Sequence, residues 1–336
     1  MRINRDSLLR IVRDTVNQRT RANRAILAVY LHGSLLDDNY LMGGTADIDL
    51  FFIHADTVSS PREIVHLSND VHLDIAHHLH RDYRNTRQLR LHPWMGPTIK
   101  TCQIQFDPQH FLDFTQASVR GQYNRPEFVV ERSRKQIESA RKIWVSLDEL
   151  EHEPGVQEVL LYLKALENAA NSIASLSGLP LTERRFLQRL PDAFEAAQRP
   201  GLYPGLLGLL GAPAADADAI QAWIPAWQAA YQALGPDQAP ARLHPARFPY
   251  YQKAFISLFE HDQPQAVLWP LLRTWSLAIA AMTDAGDHFT TWQNSLGQLG
   301  LVGGTFSERV DGLDAYLDMI EETLDNWAAL NGVSLL

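Results

Sequence analysis

Two aspartates two positions apart, Asp47 and Asp49, and a third, Asp74, each sit between apolar residues in this sequence. Residues two apart on a strand point to the same face. Asp47 and Asp49 would therefore share one face, while Ile48 and Leu50 turn to the apolar side. Carboxylates side by side on a half-buried strand repel each other, and a cation relieves that cost. An all-oxygen donor set favours magnesium or manganese over softer metals. Asp74, in Leu73-Asp74-Ile75, would share its face with His72 and Ala76. Paired beside Asp47 and Asp49, it would complete a cup of three carboxylates able to hold two ions about 4 Å apart. Such a pair of ions activates an attacking hydroxyl and stabilises a departing phosphate.

Gly33 and Ser34 stand upstream, with twelve residues between Ser34 and Asp47. A glycine lets the backbone turn sharply and approach a ligand closely. Ser34 can begin a short helix, where free N–H groups and its hydroxyl attract phosphate oxygens. Each part has a plainer reading on its own. Gly-Ser is an ordinary strand–turn–helix corner, the aspartate pair suits a solvated edge strand, and Asp74 suits the surface. Phe51 and Phe52 speak against a freely exposed strand at 47–49. The three parts in this order are far more specific than any one of them.

The elements that would position these groups follow from periodicity. Residues 25–31 form a short aliphatic run ending at a glycine, as a core strand does. Asp6 and Ser7 can cap a preceding helix to about Arg21, with Leu8, Leu9, Ile11, Val12 and Val16 as its buried stripe. Strands are expected over 46–53 and 71–76, and Ser60-Pro61 reads as a helix start between them. Residues 81–89 read as a helix with Arg81, Arg84, Arg87 and Arg90 spaced three apart, and 92–97 as a rigid loop holding Trp94. An edge strand over 100–106 contains Cys102, and Asp107-Pro108 opens a helix to about Ala117. Beyond Pro126 the pattern is helical: a long helix to Glu149, a break at Glu153-Pro154-Gly155, and a strong stripe of Val159, Leu160, Leu163, Leu166, Ala170 and Ile173. A Gly- and Pro-rich stretch over 200–213 links to a last helical group, where Trp223, Trp227, Tyr250, Tyr251, Trp269 and Trp275 suit a core.

At His32-Gly33-Ser34, Asp47-Ile48-Asp49-Leu50 and Leu73-Asp74-Ile75 the chain resembles the DNA polymerase beta-like nucleotidyltransferase superfamily. The layout is most similar to its minimal nucleotidyltransferases and aminoglycoside adenylyltransferases. The resemblance covers about residues 25–77. His32 departs from the pattern, which more usually has an apolar residue before the glycine. The resemblance implies an α+β fold: an N-terminal nucleotidyltransferase domain, a small mixed sheet with helices on one side, followed by an all-helical C-terminal region. The corresponding division is 1–125 and 126–336, the latter divisible into helical groups 126–200 and 214–336. The implied reaction moves NMP from an NTP, with ATP the first expectation, to a hydroxyl of a small-molecule acceptor. Asp47 and Asp49 would bind two Mg2+ or Mn2+ ions, Asp74 would bind the catalytic ion and take the acceptor's proton, and Gly33 and Ser34 would hold the outer phosphates. By analogy with some aminoglycoside adenylyltransferases, Glu167 is the candidate general base; a surface pairing with Lys164 is its plainer reading. Transfer to RNA or protein, or a weakly active nucleotide-binding or antitoxin-like module, are the alternatives.

Composition narrows the partners. The 336 residues suffice for two domains, and 46% hydrophobic content is ordinary for a globular protein. No apolar run reaches membrane-span length, and no apolar signal core follows Met1, so a cytoplasmic protein is expected. A single cysteine, Cys102, excludes an intrachain disulfide and reads as a packed side chain. Residues 1–150 carry 20 basic and 18 acidic side chains, whereas residues 151–336 carry 10 and 21. That acidic half speaks against a nucleic-acid track, which needs basic surface. It suits a small cationic acceptor, although solubility alone also explains it. A homodimer is compatible with all of this. His72, His77, His78 and His80 could suggest zinc, but their spacing matches no structural zinc pattern.

Overall fold

The computed structural model describes residues 3–235 and 238–334. The chain is α+β, with one five-stranded mixed sheet and many helices. It divides into two compact units: residues 1–124 with 246–257, and residues 125–245 with 258–336.

In the first unit, α1 (Arg5–Ala22) precedes β1 (Ile26–His32), β2 (Ala46–His54), β3 (Arg62–Ser68) and β4 (Val71–Leu79). Helices α2 (Thr86–Leu91) and α3 (Met95–Thr101), strand β5 (Gln103–Phe106) and α4 (Phe111–Arg120) follow. The sheet order is β3-β4-β2-β1-β5. Strands β2 and β4 run parallel, and the other neighbours are antiparallel. One face packs on α1, where Leu8, Val12 and Val16 meet Leu31, Ile48, Leu50, Leu73 and Ile75. On the other face Tyr30 and Ile53 meet Leu89, Ile99, Leu112 and Val119 from α2, α3 and α4. Helices thus cover both faces, not one, because the apolar residues of the second face need a cover as well.

Several boundaries differ from the expected ones for local reasons. Asn4, not Asp6 or Ser7, caps α1: its Oδ1 accepts from Ser7 N at 2.8 Å while Ser7 Oγ faces Asn4 N at 3.2 Å. Residues 62–68 form the edge strand β3 instead of a helix. Pro61 lies just outside that strand, and its carbonyl accepts from His77 N at 2.9 Å. The segment expected as one helix over 81–89 is a short turn followed by α2, restarted by the Asn85 side chain accepting from Gln88 N at 3.0 Å. The expected loop at 92–97 is partly helical. His92 Nδ1 accepts from the N–H groups of Trp94 and Met95, and Pro97 falls in the first turn of α3, where no N–H is needed. Helix α4 begins at Phe111, later than Asp107-Pro108, with Asp107 Oδ2 accepting from Asp113 N at 2.9 Å. Cys102 lies just ahead of β5, buried, with burial pushing its thiol up to about 12.

The second unit is helical: α5 (Pro126–Asp148), α6 (Val156–Ser177), α7 (Phe186–Ala196), α8 (Leu202–Leu209) and α9 (Ala217–Gln232) come first. Helix α10 (Phe248–Glu260) begins in the segment belonging to the first unit and ends in this one. Helices α11 (Pro264–Ala281), α12 (Gly286–Gln298) and α13 (Phe306–Leu330) complete the chain. The stripe on α6 is buried at Val159, Leu163, Leu166, Ala170 and Ile173. Trp227 and Trp292 place their indole N–H groups on Thr274 and Ser276 of α11, at 2.8 and 3.0 Å. Trp269 and Trp275 are buried too. Tyr250 and Tyr251 belong to the first unit.

Candidate metal centre

The parallel pairing of β2 and β4 builds the site. Asp47 lies opposite His72, and Asp49 lies opposite Asp74. Alternation turns all four toward one face, and β1 adds His32 opposite Asp49. One carboxylate oxygen from each of Asp47, Asp49 and Asp74 falls within 4.8 Å of the others. Asp47 and Asp74 are buried and Asp49 is half-buried. The apolar flanks are the reason: Ile48, Leu50, Leu73 and Ile75 anchor the strands in the core on the opposite face.

Gly33 closes the site from the end of β1. Its φ is +86°, and a Cβ there would run into Asp49 Oδ2, with Asp49 Cγ at 3.0 Å. Only glycine satisfies both demands. Ser34 then opens a single turn of 3-10 helix, and its hydroxyl is 3.5 Å from the Tyr40 carbonyl. His32 is half-buried and lies edge-on to Phe51 at 6.2 Å. Burial lowers its pKa to about 4, against a smaller opposing pull from Asp37, so the ring is neutral near pH 7, with its Nδ1 3.4 Å from the Thr101 hydroxyl.

Three neighbours not expected from the motif, or expected only in part, complete the electrostatics. Arg62 grips Asp74 with two bonds, Nε to Oδ1 at 2.6 Å and Nη2 to Oδ2 at 2.5 Å. Arg247 donates to Asp74 Oδ2 at 2.8 Å and to Asp47 Oδ2 at 3.2 Å. His72 Nε2 lies 3.0 Å from Asp47 Oδ1, and its ring stands edge-on to Tyr250 at 5.3 Å. Among the described residues, no ion pair joins Asp49 to a cation. Burial first, then the charges of Asp47 and Asp74, hold its carboxyl well above the usual carboxylate range, outweighing Arg247 and Arg62. A carboxyl raised by desolvation and then by its like-charged neighbours, in a set of oxygen donors, fits a hard divalent cation.

Arg62 had no signal in the sequence, because Ser60-Pro61 reads as a helix start there. Arg247 had none either, since it follows Asp74 by 173 positions. His72 was legible as the residue sharing Asp74's face.

The other candidate groups have partners of their own. Glu167 belongs to the second unit, on α6, where its carboxylate takes Arg273 Nη1 at 2.5 Å and Lys164 Nζ at 2.8 Å. Burial would raise its pKa, but Arg273 and Lys164 outweigh burial and lower it. A carboxylate so held is a poor proton acceptor. His77 pairs with His54 at 2.9 Å and His78 with the Tyr83 hydroxyl at 2.6 Å, while His80 packs on Phe111. Among the described residues, the three aspartates are the one group able to hold a metal ion. Arg81, Arg84 and Arg87 are exposed, but Arg90 is buried and bonded to Gln122 and the Ser118 carbonyl, so the three-residue spacing builds no common patch. No described helix is long and apolar enough to cross a membrane. No protein-family model matches the sequence, and no curated protein matches it.

Proposed function

We propose that the protein is a metal-dependent nucleotidyltransferase of the polymerase beta-like kind, moving NMP from an NTP, ATP first among them, to a hydroxyl of a small-molecule acceptor. The observation that carries this is the convergence of Asp47, Asp49 and Asp74 on one point beside the backbone at Gly33. Divalent ions bound there would supply Lewis-acid stabilisation of the charge that builds up on phosphate oxygens. Asp47 and Asp49, adjacent on one strand, would hold both ions, and Asp74 would add a ligand from the neighbouring strand. In the reaction the acceptor oxygen attacks the α-phosphorus, the bond from that phosphorus to the bridging oxygen breaks, and pyrophosphate leaves with the electron pair. The acceptor's proton passes to a carboxylate of the cluster; Asp74, held by Arg62 and Arg247, can take it only once those guanidiniums have let go. Gly33, lacking a side chain, leaves the backbone at the turn open to the outer phosphates, and the Ser34 hydroxyl stands beside it. Ion-paired Glu167 takes no part in the proton transfer. The acidic surface of the second half suits a cationic acceptor.

The test is pyrophosphate release with labelled ATP, Mg2+ and a panel of aminoglycoside-like and simpler polyol acceptors, comparing the intact chain with Asp47→Ala. Label should move to an acceptor, and Asp47→Ala should abolish transfer while remaining folded. Transfer that persists in Asp47→Ala would place the chemistry elsewhere.

A further inference from the structure

Arg247 occupies the ground a metal ion would need. Its guanidinium bridges Asp74 and Asp47 at 2.8 and 3.2 Å, and its side chain is only 2% exposed. The rings of Tyr250 and Tyr251 lie 5.4 and 5.9 Å from its central carbon. Lys253 is ion-paired with Asp70, and a Cβ on Gly43 would collide with the Lys253 carbonyl. Arg62 reaches Asp74 alone, and its side chain is 45% exposed, so water can receive it once released. Arg247 has no such exit.

Two guanidiniums offset two of the three carboxylates, leaving at most a single excess negative charge, and none while Asp49 keeps its proton. A bare divalent ion entering it meets two resident cations in a poorly screened setting. Displacing Arg247 by the ion alone would take a buried guanidinium away from two carboxylates with no anion to replace them, which is costly. An anion arriving with the ion removes that conflict. Phosphate oxygens accept from the same planar fork of donors that now serves two carboxylates. Released from Arg247, Asp47 and Asp74 regain oxygens for the ion.

Building on the assignment of the aspartate cluster to a metal–nucleotide site, we propose that Arg247 is a triphosphate-binding residue that exchanges Asp47 and Asp74 for phosphate oxygens. Metal and triphosphate therefore load together, each strengthening the other. Such coupling is reciprocal: the factor by which triphosphate tightens metal binding equals the factor by which metal tightens triphosphate binding.

The experiment measures Mn2+ binding to the full chain by calorimetry and by Mn2+ electron paramagnetic resonance, alone and with inorganic tripolyphosphate, at buffered free metal. Tripolyphosphate carries no base or sugar, so the response isolates the phosphates. In the wild type it should tighten Mn2+ binding by about tenfold or more. In Arg247→Gln, Mn2+ alone should bind about tenfold more tightly than in the wild type, and the enhancement by tripolyphosphate should shrink to about twofold. Arg247→Lys keeps the charge without the bridging fork. It should fall between the two, and it carries the comparison if the Gln variant does not fold. Full coupling retained in a folded Arg247 variant overturns the role of Arg247 and leaves the metal site standing. If the wild type binds neither Mn2+ nor its tripolyphosphate complex, both the metal site and the role built on it fall.

Discussion

Gly33 and Asp49 are fitted to each other: the backbone at residue 33 has a φ of +86° and passes so close to the Asp49 carboxylate that any side chain at 33 would collide with it. The glycine is therefore a condition for the position of Asp49 and not merely a turn residue. Gly33→Ala forces a left-handed backbone on an L-residue and pushes Asp49 aside, at a cost of roughly 1–3 kcal/mol. Its unfolding midpoint should drop in a thermal melt, and Mn2+ binding of the folded fraction should weaken by about tenfold or more. Wild-type Mn2+ affinity in Gly33→Ala would mean that Asp49 does not ligate metal.

His72 faces Asp47 in strand register, with Nε2 3.0 Å from Oδ1. Groups that orient a metal-ligating carboxylate are typically worth about 10–100-fold in metal affinity. His72→Leu keeps the bulk near Tyr250 but removes the polar contact, and it should lose affinity within that range. His72→Gln keeps a polar side chain beside Asp47 and should recover part of the loss. Equal affinities for wild type, Leu and Gln, measured by Mn2+ titration, would remove His72 from the site.

Glu167 pairs with Arg273 and Lys164 inside the helical unit, with its own side chain 4% exposed. Glu167→Gln leaves the Arg273 guanidinium without its anion, and stability should fall by roughly 2–4 kcal/mol in denaturant unfolding. The rate of pyrophosphate release per folded molecule should stay within about threefold of wild type, because a carboxylate held by two cations gains little as a base. A drop of a hundredfold or more in that rate, with the fold intact, would restore Glu167 as the general base.

What could be read from the sequence is what obeys local periodicity. The alternation in residues 46–54 puts Asp47 and Asp49 on one face because their neighbours Ile48 and Leu50 must reach the core. The same rule turns Asp74 toward them once β2 and β4 pair. Strand β3 escaped it because a proline after a serine signals a helix start as well as it flanks an edge strand, and only the pairing with β4 separates the two. Helix α3 escaped because Gly96 and Pro97 look like loop residues unless His92 is known to cap the helix. Arg247 escaped for a different reason: it acts across a separation along the chain that no local pattern spans. The two guanidiniums that neutralise the aspartates are thus the part of the site that only the folded chain displays.

The charge left over on Asp49 sets a pH dependence whose sign is fixed. Burial, then Asp47 and Asp74, raise its folded pKa well above the unfolded value of about 3.9. As pH climbs past that unfolded value, the unfolded chain gives up this proton while the folded chain keeps it. The unfolded state then binds fewer protons, so metal-free stability from this group falls with rising pH until the folded pKa is passed, and is constant above it. Asp49→Asn removes the titration. Without divalent ions, the variant should therefore gain stability over wild type as pH rises from about 4 toward neutrality, measured as a difference between paired denaturant melts. Divalent ions demand the ionised carboxylate, so binding Mn2+ releases the proton. Affinity should strengthen as pH rises through the folded pKa, and calorimetry in two buffers of different ionisation enthalpy should register proton release that Asp49→Asn lacks. A wild type whose Mn2+ affinity is flat from about pH 5 to 8, with no proton released, would show that Asp49 is already ionised and that its neighbours have been compensated by the two arginines more completely than the geometry implies.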